Sequence, residues 1–237
     1  MDTRRPPIPL ERMSLDAMLA CVSPFTGASR EEVELLGRTA TRVRKPAGQQ
    51  VLREGTTSDG IYVVLRGRVN LVREGAGGRD LILSSLGPGA VFGEGCAIEG
   101  MMMSTSAVCA VATELVRVPA EAVRDHVRRD PTTVFQILRL INDKLGEAEA
   151  IASGLALCDV EERLRRTLAR LARRQGRPSP GETGWILAPV PTQSELARMV
   201  GSCRETVSRT LSAMARDGQI SANGRRMLLT ESLMSAC

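Results

Sequence analysis

Thr192-Gln193-Ser194-Glu195-Leu196-Ala197-Arg198-Met199-Val200-Gly201-Ser202-Cys203-Arg204-Glu205-Thr206-Val207-Ser208-Arg209 contains two helix starts separated by a glycine. Thr192 and Glu195 have the spacing of a capping box, in which the hydroxyl accepts from the third helical amide and the carboxylate reaches back to the cap. Gly201 stands where a left-handed residue would end that first helix at Val200. Ser202 and Glu205 repeat the spacing, so a second helix is expected from Ser202 to about Asp217, stopped by Gly218. Two short helices joined by a glycine turn make a helix-turn-helix.

At 100° per residue the second helix gathers Val207, Leu211 and Met214 on one side and Arg204, Glu205, Ser208 and Arg209 on another. One side is core. The other suits DNA: Arg204 and Arg209 fit guanine O6/N7 and Glu205 a cytosine amino group, at about 1–3 kcal/mol of base discrimination each. The alternative is a solvated face with a Glu205–Arg209 pair worth only a few tenths of a kcal/mol. Glu205 bears on the choice, because a carboxylate aimed at a polyanion is unfavourable without a specific donor; it also suits a helix N-terminus. Ile220-Ser221-Ala222-Asn223-Gly224-Arg225-Arg226-Met227-Leu228-Leu229 follows as a hairpin with an Asn-Gly turn, a wing whose Arg225 and Arg226 can reach phosphate.

Working back toward the N-terminus, Asp159 can cap a helix with Glu162 three residues on, and Leu164, Leu168 and Leu171 share a face that ends before Gly176. Trp185-Ile186-Leu187 reads as a short strand in a Pro/Gly-rich loop. Leu157-Cys158-Asp159 reads as a hinge. Before it, Val134, Leu138, Ile141, Leu145, Ala148, Ala152 and Leu155 recur at alternating steps of four and three. That heptad seam argues for a two-fold contact between identical helices, the alternative being a helix packed on its own core.

From Val43 to Val118 short apolar runs alternate with glycines: Ile61 to Leu65, Val69 to Val72, Leu81 to Leu83 and Glu114 to Val118, with turns at Arg66-Gly67-Arg68 and Gly75-Ala76-Gly77-Gly78. This predicts a small antiparallel barrel or roll. The fold class expected is therefore α+β: a β roll, a long dimerisation helix and a C-terminal winged helix-turn-helix. The expected domains are 1–130, 131–158 for the dimer helix and hinge, and 159–237.

Charge agrees with this order. The first 158 residues hold 19 Lys+Arg and 19 Asp+Glu, whereas 159–237 hold 13 against 8, so the net +5 belongs to the last third. A polyanion would be met there. The six cysteines are scattered and His126 is the lone histidine, so no metal site and no cofactor are expected; buried thiols and a surface or capping histidine are the readings favoured. With one histidine and no nucleophile motif, enzyme chemistry is disfavoured. No apolar stretch approaches the ~18 residues of a membrane span and no secretory signal opens the chain, so no membrane and a cytoplasmic location are expected.

Gly201 to Arg209, the wing, Leu155-Ala156-Leu157-Cys158-Asp159-Val160 and Gly87-Pro88-Gly89-Ala90-Val91-Phe92-Gly93-Glu94 together resemble the bacterial catabolite activator protein and fumarate-nitrate regulator superfamily, over about residues 40 to 230. The resemblance implies a cyclic-nucleotide-binding-type jelly roll and a homodimer on double-stranded DNA. It makes Arg204, Glu205 and Arg209 base readers of TGTGA-like half-sites in a pseudo-palindrome. Thr192, Gln193, Ser202, Thr206, Ser208, Arg225 and Arg226 become backbone contacts, and RNA polymerase a further candidate partner through the Gln175 to Glu182 loop.

The candidate effector pocket comprises Gly93, Glu94, Met103, Ser104 and Thr105. Cyclic-AMP-binding members carry Arg-Ser after the Gly-Glu; here Met103-Ser104-Thr105 stands there, and Ala148-Glu149 replaces the adenine-contacting Thr-Ser. A buried phosphate lacking a cation is costly, so cyclic AMP is not the expected effector. A ligand-free regulator, or one answering another nucleotide such as cyclic di-GMP or cyclic GMP, remains open. Met101-Met102-Met103 is expected to fill core, the alternative being the lining of an apolar pocket.

Overall fold

The computed structural model describes residues 9–75, 80–180 and 183–235. The chain forms two compact units, Met1–Arg73 with Ser84–Gly146, and Glu74–Leu83 with Glu147–Cys237. The fold is the expected α+β class.

In the N-terminal part of the chain, helices α1 (Leu15–Ala20) and α2 (Arg30–Thr39) precede strands β1 (Thr41–Lys45), β2 (Gln50–Leu52), β3 (Gly60–Arg66), β4 (Val69–Glu74), β5 (Asp80–Leu86), β6 (Val91–Phe92), β7 (Ser106–Cys109) and β8 (Thr113–Pro119), and α3 (Ala120–Arg129) follows. The strands form two four-stranded sheets, β1-β8-β3-β6 and β2-β7-β4-β5. β3 is apolar at every position from Ile61 to Leu65 because both of its faces are covered. Ile61, Val63 and Leu65 face a cluster with Met18, Leu19, Phe25, Leu36 and Val123 of the helical side; Tyr62 and Val64 face Leu71, Phe92, Ala107 and Leu115 within the roll. Gly67 turns β3 into β4 with φ +95°, and a Cβ there would lie 2.6 Å from Thr113 Oγ1, so the expected turn has no room for a side chain.

Helix α4 spans Thr132–Leu157, two residues beyond the end of the expected seam. After it, α5 (Val160–Gln175), β9 (Arg177–Pro178), β10 (Gly184–Leu187), α6 (Gln193–Val200), α7 (Arg204–Arg216), β11 (Ile220–Asn223), β12 (Arg226–Thr230) and α8 (Glu231–Ser235) build the second unit, whose sheet has the order β11-β12-β10-β9. Asp159 caps α5 by accepting from the Glu162 amide, as its spacing predicts. Leu164, Leu168 and Leu171 are buried beneath it. Ala76, Gly77 and Gly78 of the expected β4–β5 turn lie outside the described residues, as do residues 181 and 182 of the Gln175 to Glu182 loop.

Three expectations need correction. His126 is neither surface nor cap: it is 0% exposed, with Nδ1 2.8 Å from Glu32 Oε2 and Nε2 2.9 Å from Thr133 Oγ1. Its main partner lies in α2, far away in sequence, where local pattern carries no signal. Met101 and Met102 do not fill core, Met102 being 65% exposed; Met103 alone packs against the roll's interior. Among the described cysteines, Cys96 and Cys109 are buried, but Cys21 and Cys203 are exposed and Cys158 is half-buried.

Candidate nucleic-acid interface

The capping box at Thr192 forms as its spacing predicts. Thr192 Oγ1 accepts from the Glu195 amide at 3.2 Å, and Glu195 Oε2 accepts from the Thr192 amide at 2.8 Å. Gly201 closes α6 with φ +62° and ψ +48°. The Ser202 amide then donates back to the Ala197 carbonyl at 3.0 Å, the six-to-one bond that wraps a helix C-terminus around a left-handed residue.

That bond displaces the second helix start. Ser202 belongs to the closing turn of α6, so it does not cap α7; Cys203 is the N-cap, and no side chain caps the first turn. The expected Ser202–Glu205 box is therefore absent. Cys203 Sγ instead lies 3.1 Å from Thr206 Oγ1. Glu205 is the second residue of α7, where its own amide and the Cys203 side chain hold the carboxyl below its ordinary range, aided by the charges of Arg204 and Arg209.

Val207 and Met214 anchor α7 in the core, while Arg204, Glu205 and Arg209 stand exposed on the other side. Arg209 makes one long contact, 3.5 Å from Nη2 to Thr206 Oγ1, which leaves its guanidinium available. Thr192 is exposed at the head of α6; Gln193, Ser202, Thr206 and Ser208 are half-buried around the same end of the motif. The wing forms between β11 and β12 with Asn223 paired to Arg226, so the two connecting residues are Gly224, at φ +58°, and Arg225. The turn thus begins one residue later than the Asn-Gly reading placed it. Arg225 and Arg226 are both exposed at its tip.

The seam residues of α4 are largely uncovered within the single chain. Val134, Leu138, Leu145 and Leu155 are among its exposed large apolar residues, Ala148 and Ala152 are exposed too, and Ile141 is half-buried. Phe135 and Leu157, neighbours of the seam that the heptad pattern did not include, are also exposed.

Among the candidate effector residues, Gly93 has φ +84° and a Cβ would come 2.4 Å from the Gly60 carbonyl oxygen, which fixes glycine there. It leads into a 3-10 turn, Glu94–Ala97. Glu94 Oε2 accepts from Lys144 Nζ of α4 at 2.6 Å, a partner the sequence reading missed. Met103 is half-buried, Ser104 exposed and Thr105 buried. The segment also meets a cation that the sequence comparison overlooked: Arg73 Nη1 donates to the Ser104 carbonyl at 3.1 Å while its Nε pairs with Glu54 Oε1 at 3.2 Å. Neither Lys144 nor Arg73 is near these candidate residues in sequence. Among the described residues no cluster of three or more His, Cys, Asp or Glu side chains is placed to hold a metal ion, and no helix is long and apolar enough to cross a membrane.

Residues 42–130 match the family described as Cyclic nucleotide-binding domain, and residues 162–233 the family described as Crp-like helix-turn-helix domain. The chain is 28% identical over 218 residues to the CRP-like cAMP-activated global transcriptional regulator of Mycobacterium tuberculosis, covering 92% of this chain and 96% of that one. It is 32% identical over 198 residues to the Cyclic AMP receptor protein of Thermus thermophilus, covering 83% and 87%. Among solved structures, the c-di-GMP responsive global regulator CLP of Xanthomonas campestris superposes with a TM-score of 0.69 at 28% identity, covering 85% of this chain and 99% of that one.

Proposed function

Since the chain belongs to the catabolite activator protein and fumarate-nitrate regulator superfamily of transcription regulators, we propose that it binds DNA as a homodimer reading a pseudo-palindrome with TGTGA-like half-sites. The observation that carries this reading is the polarity of α7: one face is locked by Val207 and Met214, and the opposite face holds out Arg204, Glu205 and Arg209. Arg204 and Arg209 take guanines, Glu205 a cytosine amino group, and Thr192, Gln193, Ser202, Thr206, Ser208, Arg225 and Arg226 the sugar-phosphate backbone. Two copies join along the α4 seam, with 1–130 as sensor, 131–158 as dimer helix and hinge, and 159–237 as DNA-binding domain. RNA polymerase is the further partner, met by the 175–182 loop.

The proposed regulator does not answer cyclic AMP. Glu94 is already engaged by Lys144, and Arg73 is tied to Glu54 and the Ser104 carbonyl, so a cyclic phosphate would have to break existing contacts to gain a cation. A second reading, control by cyclic di-GMP, is favoured by the likeness to the c-di-GMP responsive regulator. Calorimetry with cyclic AMP, cyclic GMP and cyclic di-GMP separates the two.

The test of the main reading is binding to a TGTGA-type palindrome and to scrambled duplex at two salt concentrations. Arg204→Ala is expected to lower affinity for the palindrome by roughly 5- to 150-fold per half-site and to leave most of the salt-dependent affinity for scrambled DNA. Equal loss on both duplexes would show that Arg204 touches phosphate alone, and an indifferent wild type would end the proposal.

A further inference from the structure

The residue that follows α4 and the last residue of α6 share one cation. Arg163, in the first turn of α5, donates from Nη1 to the Cys158 carbonyl at 2.7 Å and from Nε to the Val200 carbonyl at 2.8 Å. Both acceptors lie where helix carbonyls lack intrahelical partners and where a helix carries its partial negative charge. One planar guanidinium therefore satisfies the ends of two helices, with a directionality that an ammonium lacks.

Two glycines border the arrangement. The Arg163 stem runs over Gly154 of α4, where an added Cβ would lie 3.7 Å from Arg163 Cγ. One residue further, Leu155 covers the turn of the helix-turn-helix: its Cδ2 would be 2.8 Å from a Cβ on Gly201, at the same positive-φ residue that starts the turn into α7. The end of the dimer helix is thus fastened to the turn from which the recognition helix departs, by two hydrogen bonds and one apolar contact. All of these residues lie within the second unit.

We infer that Arg163 is a positioning residue for DNA recognition: it fixes the direction of α7 relative to the C-terminal end of α4, and so sets the half-site spacing that a dimer joined along α4 accepts. The inference rests on the homodimeric reading above. Arg163 does not itself touch DNA. Its contribution is to the geometry between two recognition helices, which must meet major grooves about 34–36 Å apart, so that moving one half-site by a base pair displaces its contacts by roughly 3.4 Å and turns them about the duplex axis.

The experiment measures binding by fluorescence anisotropy to three kinds of duplex: a single half-site, a palindrome with half-site centres one helical turn apart, and palindromes with one or two base pairs inserted or removed between them. Wild type is expected to lose at least about tenfold in affinity when the spacing departs from one turn. Arg163→Met keeps the stem over Gly154 and removes both hydrogen bonds. It is expected to compress that spacing penalty to about threefold or less while binding the single half-site as wild type does.

A variant that retains the full wild-type spacing penalty overturns the inference. So does one that loses affinity for the single half-site and the palindrome by the same factor, since that is the signature of a damaged helix-turn-helix. Should Arg163→Met fail to fold by circular dichroism, Arg163→Lys takes its place: the charge stays, the two-carbonyl fork is lost, and an intermediate spacing penalty is expected, with an unchanged one overturning the inference. A wild type that binds half-site and scrambled duplex alike overturns the homodimeric reading and this inference together; a wild type with spacing dependence that the variants share overturns the inference alone.

Discussion

Replacing Leu138 and Leu145 together by alanine should dissociate the proposed dimer. Both lie in the α4 seam, and in the single chain they remain 53% and 55% exposed. Full burial of a leucine is worth about 1.5–3 kcal/mol, so covering the remaining half gives roughly 1 kcal/mol for each side chain. A two-fold contact buries four of them, which makes the double substitution cost about 4 kcal/mol of association free energy, or roughly a thousandfold in the dimer dissociation constant. The helix itself should persist, because alanine has the higher helix propensity.

Sedimentation equilibrium over a broad concentration range reads the association constant, with thermal unfolding followed in parallel. Leu35→Ala is the control: Leu35 is a large exposed apolar side chain too, but belongs to α2, outside the seam. The control should leave association unchanged. If the double variant associates as wild type does, the seam is not the interface and the heptad reading of α4 fails.

Acid should weaken the first unit through Glu32. Its carboxyl sits below the ordinary value because Arg129 and then His126 bond to it. A depressed folded pKa stabilises above the unfolded value near 4.5 and loses that contribution as pH falls through the folded value. Glu32→Ala should therefore lower stability at neutral pH by about 1–3 kcal/mol, the cost of leaving a buried hydrogen-bonding group unmatched, and should reduce the acid-induced loss in urea unfolding between pH 6 and roughly pH 3. An unaltered acid limb in the variant would remove Glu32 from that account. The cysteines should separate by alkylation of the native protein at mildly alkaline pH: exposed Cys21 and Cys203 react, whereas Cys96, buried and with its thiol pushed up to about 12 by desolvation, reacts only on unfolding. Native-state labelling of Cys96 as fast as Cys21, read by peptide mass spectrometry, would contradict its burial.

What could be read from sequence follows the distance over which each residue finds its partner. Thr192 meets Glu195, Asp159 meets the Glu162 amide, and Gly201 and Gly67 answer to their own φ angles; all act within a few residues, and each stood where the pattern placed it. The apolar runs of β3, β4, β5 and β8 were visible for the same reason, being covered on at least one face throughout. Lys144 to Glu94, Arg73 to Ser104 and His126 to Glu32 join segments distant in the chain. Their positions depend on how the sheets and helices are assembled, and no periodicity encodes that. The β-roll side was correspondingly less legible than the helix-turn-helix.

A local miss, at Ser202, changes the argument about Glu205. Ser202 and Glu205 have the right residues at the right spacing, but the Ser202 amide is already committed to closing α6, so the cap passes to Cys203. Glu205 thereby becomes the second residue of α7, among the free amides of the first turn, and its own amide is the first cause of its lowered pKa. A carboxylate satisfied in that way needs no cytosine to explain its presence on the outer face. In the proposed complex Glu205 is thus the weaker part of the argument, and Arg204 and Arg209 carry more of it, because they bring cations to the same surface without help from the helix dipole, positive charge at a helix N-terminus being disfavoured in isolation. For Arg204, the first residue of α7, that placement runs against local helix energetics, and the proposed DNA contact would supply the compensation that the protein's own backbone does not.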